Sequence, residues 1–494
     1  MQTITNTIPK PVRPVRAVQF GAGVFLRGFA DWMLEALAER CGWEGSVTVV
    51  KSTSRPGAEA LVEQNGLYTV ALRGLENGES VETFRAVKII DRVLSATRDY
   101  AEYAALSKCP TLRFVLSNTT EAGIAPDDGD EFSLCPPRSY PGKLTKFLYE
   151  RAEHFAYAPD KGLIVLPCEL IERNGQTLRS LVLRSAERWR LGARFIDWVT
   201  HCCAFADTLV DRIVTGYPAD APALWQKLDY RDEALVAAEP YALWVIACAA
   251  DVERELPLRR AGLPVVYADD LTPYRTRKVR VLNGAHTAFV PAAYLAGFTI
   301  VRDAVLDADF ATFIRSTLSK EVLPTIDQPR AELDAYAGSV LERFANPYID
   351  HRLLSICLNS VSKWRARILP TLLDCAKLGL PAPRLAFSLA ALIALYKTHP
   401  DLMQDDPATL DCLIRQDVPD ILRAQALWGM DLTEIPGFAA QVEDWFARIG
   451  RHGVRACIRS WAHEGADHHS RKGQRRGAAC AAGRHSRGAQ GGTA

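Results

Sequence analysis

Over the first 270 residues the apolar positions alternate between short β-branched runs and segments of helical spacing. The run "RAVQFGAG" ends in glycines and is followed by the helix-patterned "FLRGFADWMLEALAER". "SVTVVKST", "LRFVLSNTT" and "KGLIVLPCELI" are further buried-strand candidates, and "YPGKLTKFLYERAEHF" starts a helix with Pro141 in its first turn. "GLYTVALRG" and "VETFRAVKII" alternate with period two, which predicts an antiparallel excursion. Strands separated by helices predict an α/β unit with a mostly parallel sheet. After about Asn174 helical spacing takes over, "FADTLVDRIVTG" included, interrupted by the strand-like "LWVIACA" and "LPVVYADD". From Thr272 to about Ile449 nearly every segment reads as helix.

The expected organisation is therefore an α/β domain over residues 1–270, an all-α domain over 271–450, and a tail over 451–494. The tail, "GADHHSRKGQRRGAACAAGRHSRGAQGGTA" at its end, is rich in Gly, Ala, Arg and His and has almost no large apolar residue, which predicts disorder. It explains the charge balance. The net charge is +1, but the tail holds 9 Lys and Arg against 2 Asp and Glu, so the body is mildly acidic. No nucleic-acid surface is expected on such a body.

At 494 residues, with 48% hydrophobic and 24% charged positions, the chain has the composition of a soluble globular protein of more than one domain. The N-terminus lacks the apolar core of a signal peptide, and no run reaches the roughly 18 apolar residues of a membrane span. The 12 cysteines contain no CxxC pair. They read as reduced thiols of a cytoplasmic protein, without a disulfide frame or a metal site. The oligomeric state is open, and a monomer is compatible with the sequence.

Four stretches carry candidate chemistry. In "VQFGAGVFLRGF", Val18, Gln19, Phe20, Gly21, Ala22, Gly23, Val24, Phe25, Leu26, Arg27, Gly28 and Phe29 form a strand–glycine turn–helix unit able to meet a pyrophosphate. The third glycine of a GxGxxG pattern would fall at Leu26; Gly28 comes two residues later. No carboxylate ends the second strand, where Lys51 and Arg55 stand, so NADP is open beside NAD. In "SNTTEAGI", Asn118, Thr119 and Thr120 could bond a cofactor and Glu121 a catalytic group, or the stretch caps a helix. In "LPCELIERNG", Glu169 would be costly to bury without a partner. In "KVRVLNGAHT", Lys278 precedes Asn283 and His286, with Arg275, Arg277 and Arg280 nearby. Such a lysine could exchange a proton with an alcohol or carbonyl, its affinity lowered by those arginines, and the asparagine could stabilise an alkoxide. A solvated basic helix start with a core histidine is the alternative.

The K-x4-N-x2-H spacing of "KVRVLNGAHT" resembles that of the polyol-specific long-chain dehydrogenases/reductases, the mannitol dehydrogenase family. "SNTTEAGI", "LPCEL", "TLVDRIVTGYP" and "DDLTPYRTRKVRVLNGAHT" are similar to its hexuronate-reducing branch, in order from about Val18 to Gly450. The resemblance implies a Rossmann-type first domain, a helical second domain, and metal-independent NAD-linked reduction of a small-molecule hexuronate. It makes Lys278 the general acid/base, Asn283 an oxyanion donor and His286 a substrate-orienting group. It also implies substrate contacts at Asp211 and Lys363. Two family positions differ: an arginine is replaced by Ser355, with Arg352 close by, and a second oxyanion asparagine by Leu170, with Asn174 as a substitute. Fructuronate or mannitol chemistry, and a cofactor-binding module without turnover, are the alternatives.

Overall fold

The structure is a computed structural model that describes residues 1–52, 57–119, 123–247 and 252–481, with the backbone alone from 462 to 481. The chain divides into two compact units, Met1–Arg275 and Thr276–Ala494.

The first unit is built on six strands, β1 (Val15–Phe20), β2 (Ser46–Lys51), β3 (Ile90–Ser95), β4 (Phe114–Ser117), β5 (Ile164–Pro167) and β6 (Ala204–Phe205). They lie in the order β3-β2-β1-β4-β5-β6, every neighbouring pair parallel. This is the doubly wound arrangement, in which the chain leaves β1 and β4 in opposite directions and opens a crevice beyond their carboxyl ends. The strands are apolar on both faces because both are covered. Phe114, Leu116 and Val49 belong to one core, Val18, Phe20 and Val115 to the other.

The expected excursion is a hairpin, Tyr68–Glu76 against Glu79–Val87, closed by Asn77 and Gly78, both at positive φ. It continues through Val236–Ala238 and Val214–Gly216 into a four-stranded sheet. "FADTLVDRIVTG" is not a helix. Asp207–Asp211 pairs antiparallel with Leu243–Ala247, which pairs in turn with Val265–Ala268. Its apolar residues Ala206, Leu209, Val210, Ile213 and Val214 do have helical spacing, but long-range pairing overrides that local pattern.

The second unit is helical throughout its described residues. Helix Pro383–Thr398 is its axis, with every residue from Arg384 to Tyr396 buried. The boundary expected at Arg451 falls inside the helical segment Phe438–Ala481, which breaks at Gly453 (φ 77°, ψ 161°). Beyond the break Val454, Cys457, Ile458 and Trp461 are buried at helical spacing, and Arg455 and Arg459 pair with Asp307 and Asp309. Trp461 stacks on Phe313 at 5.3 Å between ring centroids. Residues 451–461 are thus part of the packed unit; 482–494, where disorder was expected, lie outside the described residues. No described helix is long and apolar enough to cross a membrane.

Gly28 is held at a point of close approach: a Cβ there would sit 2.8 Å from Val214 Cγ1 and 3.3 Å from Val236 Cγ1. Gly28→Ala is expected to cost about 1–3 kcal/mol through overpacking, read as a lowered midpoint in denaturant unfolding. An unchanged midpoint would show that the two valines yield freely.

Candidate active site

In the first unit β1 runs into Gly21, whose φ of +117° suits only glycine and whose Cβ would meet the Asn118 carbonyl oxygen at 3.1 Å. The Gly21 N–H donates to Val50 O at 3.0 Å, fixing the turn to β2. Gly23 then opens the helical run Val24–Leu26, Arg27–Asp31 and Trp32–Cys41, whose middle part is π-helical. A Cβ on Gly23 would meet nothing within 4 Å. An open cradle of backbone at a helix start fits the pyrophosphate of a dinucleotide.

Only Gly21, Ala22, Gly23, Val24 and Phe25 keep surface here, which narrows the expected cofactor stretch. Val18, Phe20, Leu26 and Phe29 are core residues. Gln19 lies beneath the loop, and Arg27 donates to Ala234 O at 2.9 Å. Gly28 does the packing of a third fingerprint glycine, but against Val214 and Val236 rather than at the spacing first looked for.

The loops after β4 and β5 are tied together by Glu169. Its buried carboxylate accepts from Thr119 N at 2.8 Å, Thr119 Oγ1 at 2.9 Å and Ser117 Oγ at 3.0 Å. Burial raises its pKa, and those donors oppose the rise. Asn118 Nδ2 donates to Cys168 O at 2.7 Å. Glu169 therefore has the partners that its burial requires, and Thr119 spends both of its donors on it. Asn174 is a strut as well: Nδ2 donates to the carbonyls of Pro167, Glu169 and Thr208, and Oδ1 accepts from Thr208 N. Its amide hydrogens are committed, so it is no substitute oxyanion donor. Leu170, in the place of the family asparagine, is 59% exposed. Asp211 is buried at the end of its strand. Lys51 Nζ lies 3.8 Å from Glu59. Arg55, Thr120 and Glu121 lie outside the described residues.

In the second unit Lys278–Asn283 is a π-helical segment that continues as the α-helix Gly284–Leu295. The Gly284 N–H reaches Val279 O, a bond to the fifth residue back. In an α-helix residues five apart are rotated by roughly 140°. Winding to i→i+5 bonds brings them close to one above the other, so Lys278 and Asn283 share a face instead of diverging. His286, three residues on, stays with Asn283. The sequence spacing alone had left the lysine a turn and a half away.

The His286 ring is 7% exposed and stacks on Phe344 with centroids 3.9 Å apart, while His351 stands edge-on at 5.5 Å. Its Nε2 is buried without a hydrogen-bond partner among the described residues. Burial pushes its pKa well below the usual value, and the nearby His351, Arg367 and Arg343 push the same way. The imidazole is neutral. Asn283 is half-buried, and its side-chain amide has no partner among the described residues. Of the three arginines expected to act on Lys278, Arg280 pairs with Asp374 at 2.7 Å, Arg277 lies over the Tyr336 ring, and Arg275 donates to Ile171 O.

Lys363 Nζ donates to Ile356 O at 3.0 Å, and its pKa is lowered by burial and then by Arg367. Burial, and after it Lys363, lowers the pKa of His351. Lys363, His351 and His286 thus form a row of basic groups. His351 and Arg367 were not anticipated from the sequence; their signal was their place in "NPYIDHR" and four residues past Lys363, one helical turn. Arg352 is exposed and caps the short helix Leu353–Ile356, with Ser355 Oγ bonded to its carbonyl.

Comparison with known proteins follows the same division. Residues 15–259 match the Mannitol dehydrogenase Rossmann domain and residues 270–449 the Mannitol dehydrogenase C-terminal domain. The chain is 43% identical to an altronate oxidoreductase of Yersinia enterocolitica, over 94% of this chain and 100% of that one. It is 44% identical to one of Klebsiella pneumoniae, over 93% and 99%. Among solved structures, a substrate-free D-sorbitol dehydrogenase has a TM-score of 0.78 at 22% identity, covering 93% of this chain and 100% of that one. The mannitol 2-dehydrogenase of Pseudomonas fluorescens, in complex with NAD and D-mannitol, has 0.70 at 22% identity, covering 91% and 95%. By these matches over both units, the chain belongs to the mannitol dehydrogenase family.

Proposed function

We propose that the protein is an NADH-dependent reductase of D-tagaturonate, forming D-altronate and NAD reversibly. The observation that carries this reading is the shared face of Lys278, Asn283 and His286, in a chain 43–44% identical to altronate oxidoreductases over nearly its full length.

Lys278 gives a proton to the substrate carbonyl oxygen as the carbonyl carbon is reduced, and takes it back in the reverse direction. The Asn283 amide donates to the oxygen while negative charge builds on it. Neutral His286 offers Nε2 to a substrate hydroxyl, with the ring held by Phe344. Lys363 is the fixed cation for the uronate carboxylate, with Arg352 as the other candidate. Bound NADH supplies the hydride. Gly21–Phe25 form its pyrophosphate cradle, with Asn118 beside it. Lys51 close to Glu59 favours NADH over NADPH, since that carboxylate opposes a 2′-phosphate.

Lys278→Ala is expected to lower kcat by about 10²–10⁴-fold while the Kd for NADH, from fluorescence titration, stays as in the parent. Undiminished turnover would remove Lys278 from the chemistry. Lys363→Ala is expected to raise KM for tagaturonate by roughly 10–100-fold, the worth of one charge-assisted hydrogen bond. Fructose, which has no carboxylate, should show no such change. Steady-state assays with tagaturonate, fructuronate and fructose test the substrate itself; a preference for either of the last two would overturn the assignment.

A further inference from the structure

Beneath the glycine loop lies a buried carboxyl group to which the proposed reaction assigns no role. Asp31, at the end of the π-helical segment, has no exposed surface. Its Oδ2 accepts from Gln19 Nε2 at 3.2 Å, and the same nitrogen donates to Gly21 O at 3.1 Å. Gln19 therefore connects the carboxyl to the first glycine of the cradle. Asp31 Oδ1 and Gln19 Oε1 are both buried without a hydrogen-bond partner among the described residues. The groups facing Asp31 are few: Arg27 one turn earlier on its own helix, Tyr68 from the hairpin, and Cys168 after β5. Arg27 has its NH1 on Ala234 O, and the Tyr68 hydroxyl donates to Arg27 O. Glu35, one turn on, faces Arg13 and Lys88.

An ionised carboxylate with one bare oxygen in such a place is costly. A proton on Oδ1 removes the charge. A dinucleotide brings negative phosphates to Gly21–Val24, above Gln19, and like charge makes the ionised form costlier still.

We propose that Asp31 binds a proton together with the dinucleotide, so that the cofactor enters the cradle with net proton uptake. The inference rests on the reading that the loop takes a dinucleotide. Burial raises the Asp31 pKa to about 7, with Gln19, Arg27 and Tyr68 opposing the rise. The free protein therefore releases this proton within the ordinary working range of pH. Because the folded value lies above that of an exposed carboxyl, the unfolded chain loses the proton first. The group's effect on stability is accordingly neutral below about pH 4 and becomes destabilising as pH rises toward 7. Cofactor binding shifts the release to higher pH. The proton comes from buffer acid, and no bond other than O–H forms.

The test is calorimetric titration of NADH into the full chain at pH 7.5, in buffers of low and high ionisation enthalpy. The slope of apparent enthalpy against ionisation enthalpy counts the protons taken up. About 0.3–0.8 proton per NADH is expected, with Kd rising by up to about tenfold per pH unit above 7. Asp31→Asn, which keeps shape and removes the charge, should show no uptake and a Kd independent of pH. At pH 8 it should bind NADH more tightly than the parent. Uptake that persists in Asp31→Asn would assign the proton elsewhere and overturn the proposal. If that variant does not fold, the parent decides: binding without buffer dependence overturns this inference and leaves the proposed reaction standing. Failure to bind either NADH or NADPH would overturn both.

Discussion

Residues spaced five and then three apart do not share one face of an ordinary α-helix, because the first faces away. The wider turn at Lys278–Asn283 removes that conflict for Lys278, Asn283 and His286. Phe344 stacks on the His286 ring. Such turns give up regular hydrogen bonding, so they persist where packing holds them. Here helix Gly284–Leu295 is buried from Gly284 through Ala293. A second widened turn, Arg27–Asp31, follows the glycine loop in the first unit and carries Gly28 against Val214 and Val236.

The doubly wound sheet was readable because each of its strands is a short apolar run ending in a turn, and such runs have few other uses. "FADTLVDRIVTG" misled because its apolar spacing fits a helix as well as a strand, and its partner strand lies over 30 residues away. The packed stretch 454–461 was legible in principle from its spacing, but the glycine- and arginine-rich sequence after it dominated the composition. Lys278, Asn283 and His286 could be singled out as candidates from their spacing and its family resemblance, whereas the turn that aligns them has no sequence signature of its own. Glu169 and Asn174 looked like ligand groups for a sound reason: polar groups at strand ends are costly. What meets that cost is local, three donors for one and three acceptors for the other.

Electrostatics divide the two units. Around His286 every charged neighbour named is a cation, which keeps the ring neutral and suits an anionic substrate. Under the glycine loop the dominant ionisable group is a buried acid, with Gln19, Arg27 and Tyr68 beside it. Burial favours the uncharged form in both places, by withholding a proton from one group and by tightening the hold on it in the other.

Leu170 stands between the Glu169 lock and the Asn174 strut, on a peptide whose preceding carbonyl is bonded to the Asn174 amide, yet its own side chain is 59% exposed. Frame and reader are separate parts there. The backbone at this strand end is held by buried hydrogen bonds in which the Leu170 side chain takes no part, so exchanging that side chain should cost the fold little. Substitution at this projecting position changes the surface of the strand end while the scaffold beneath it stays the same.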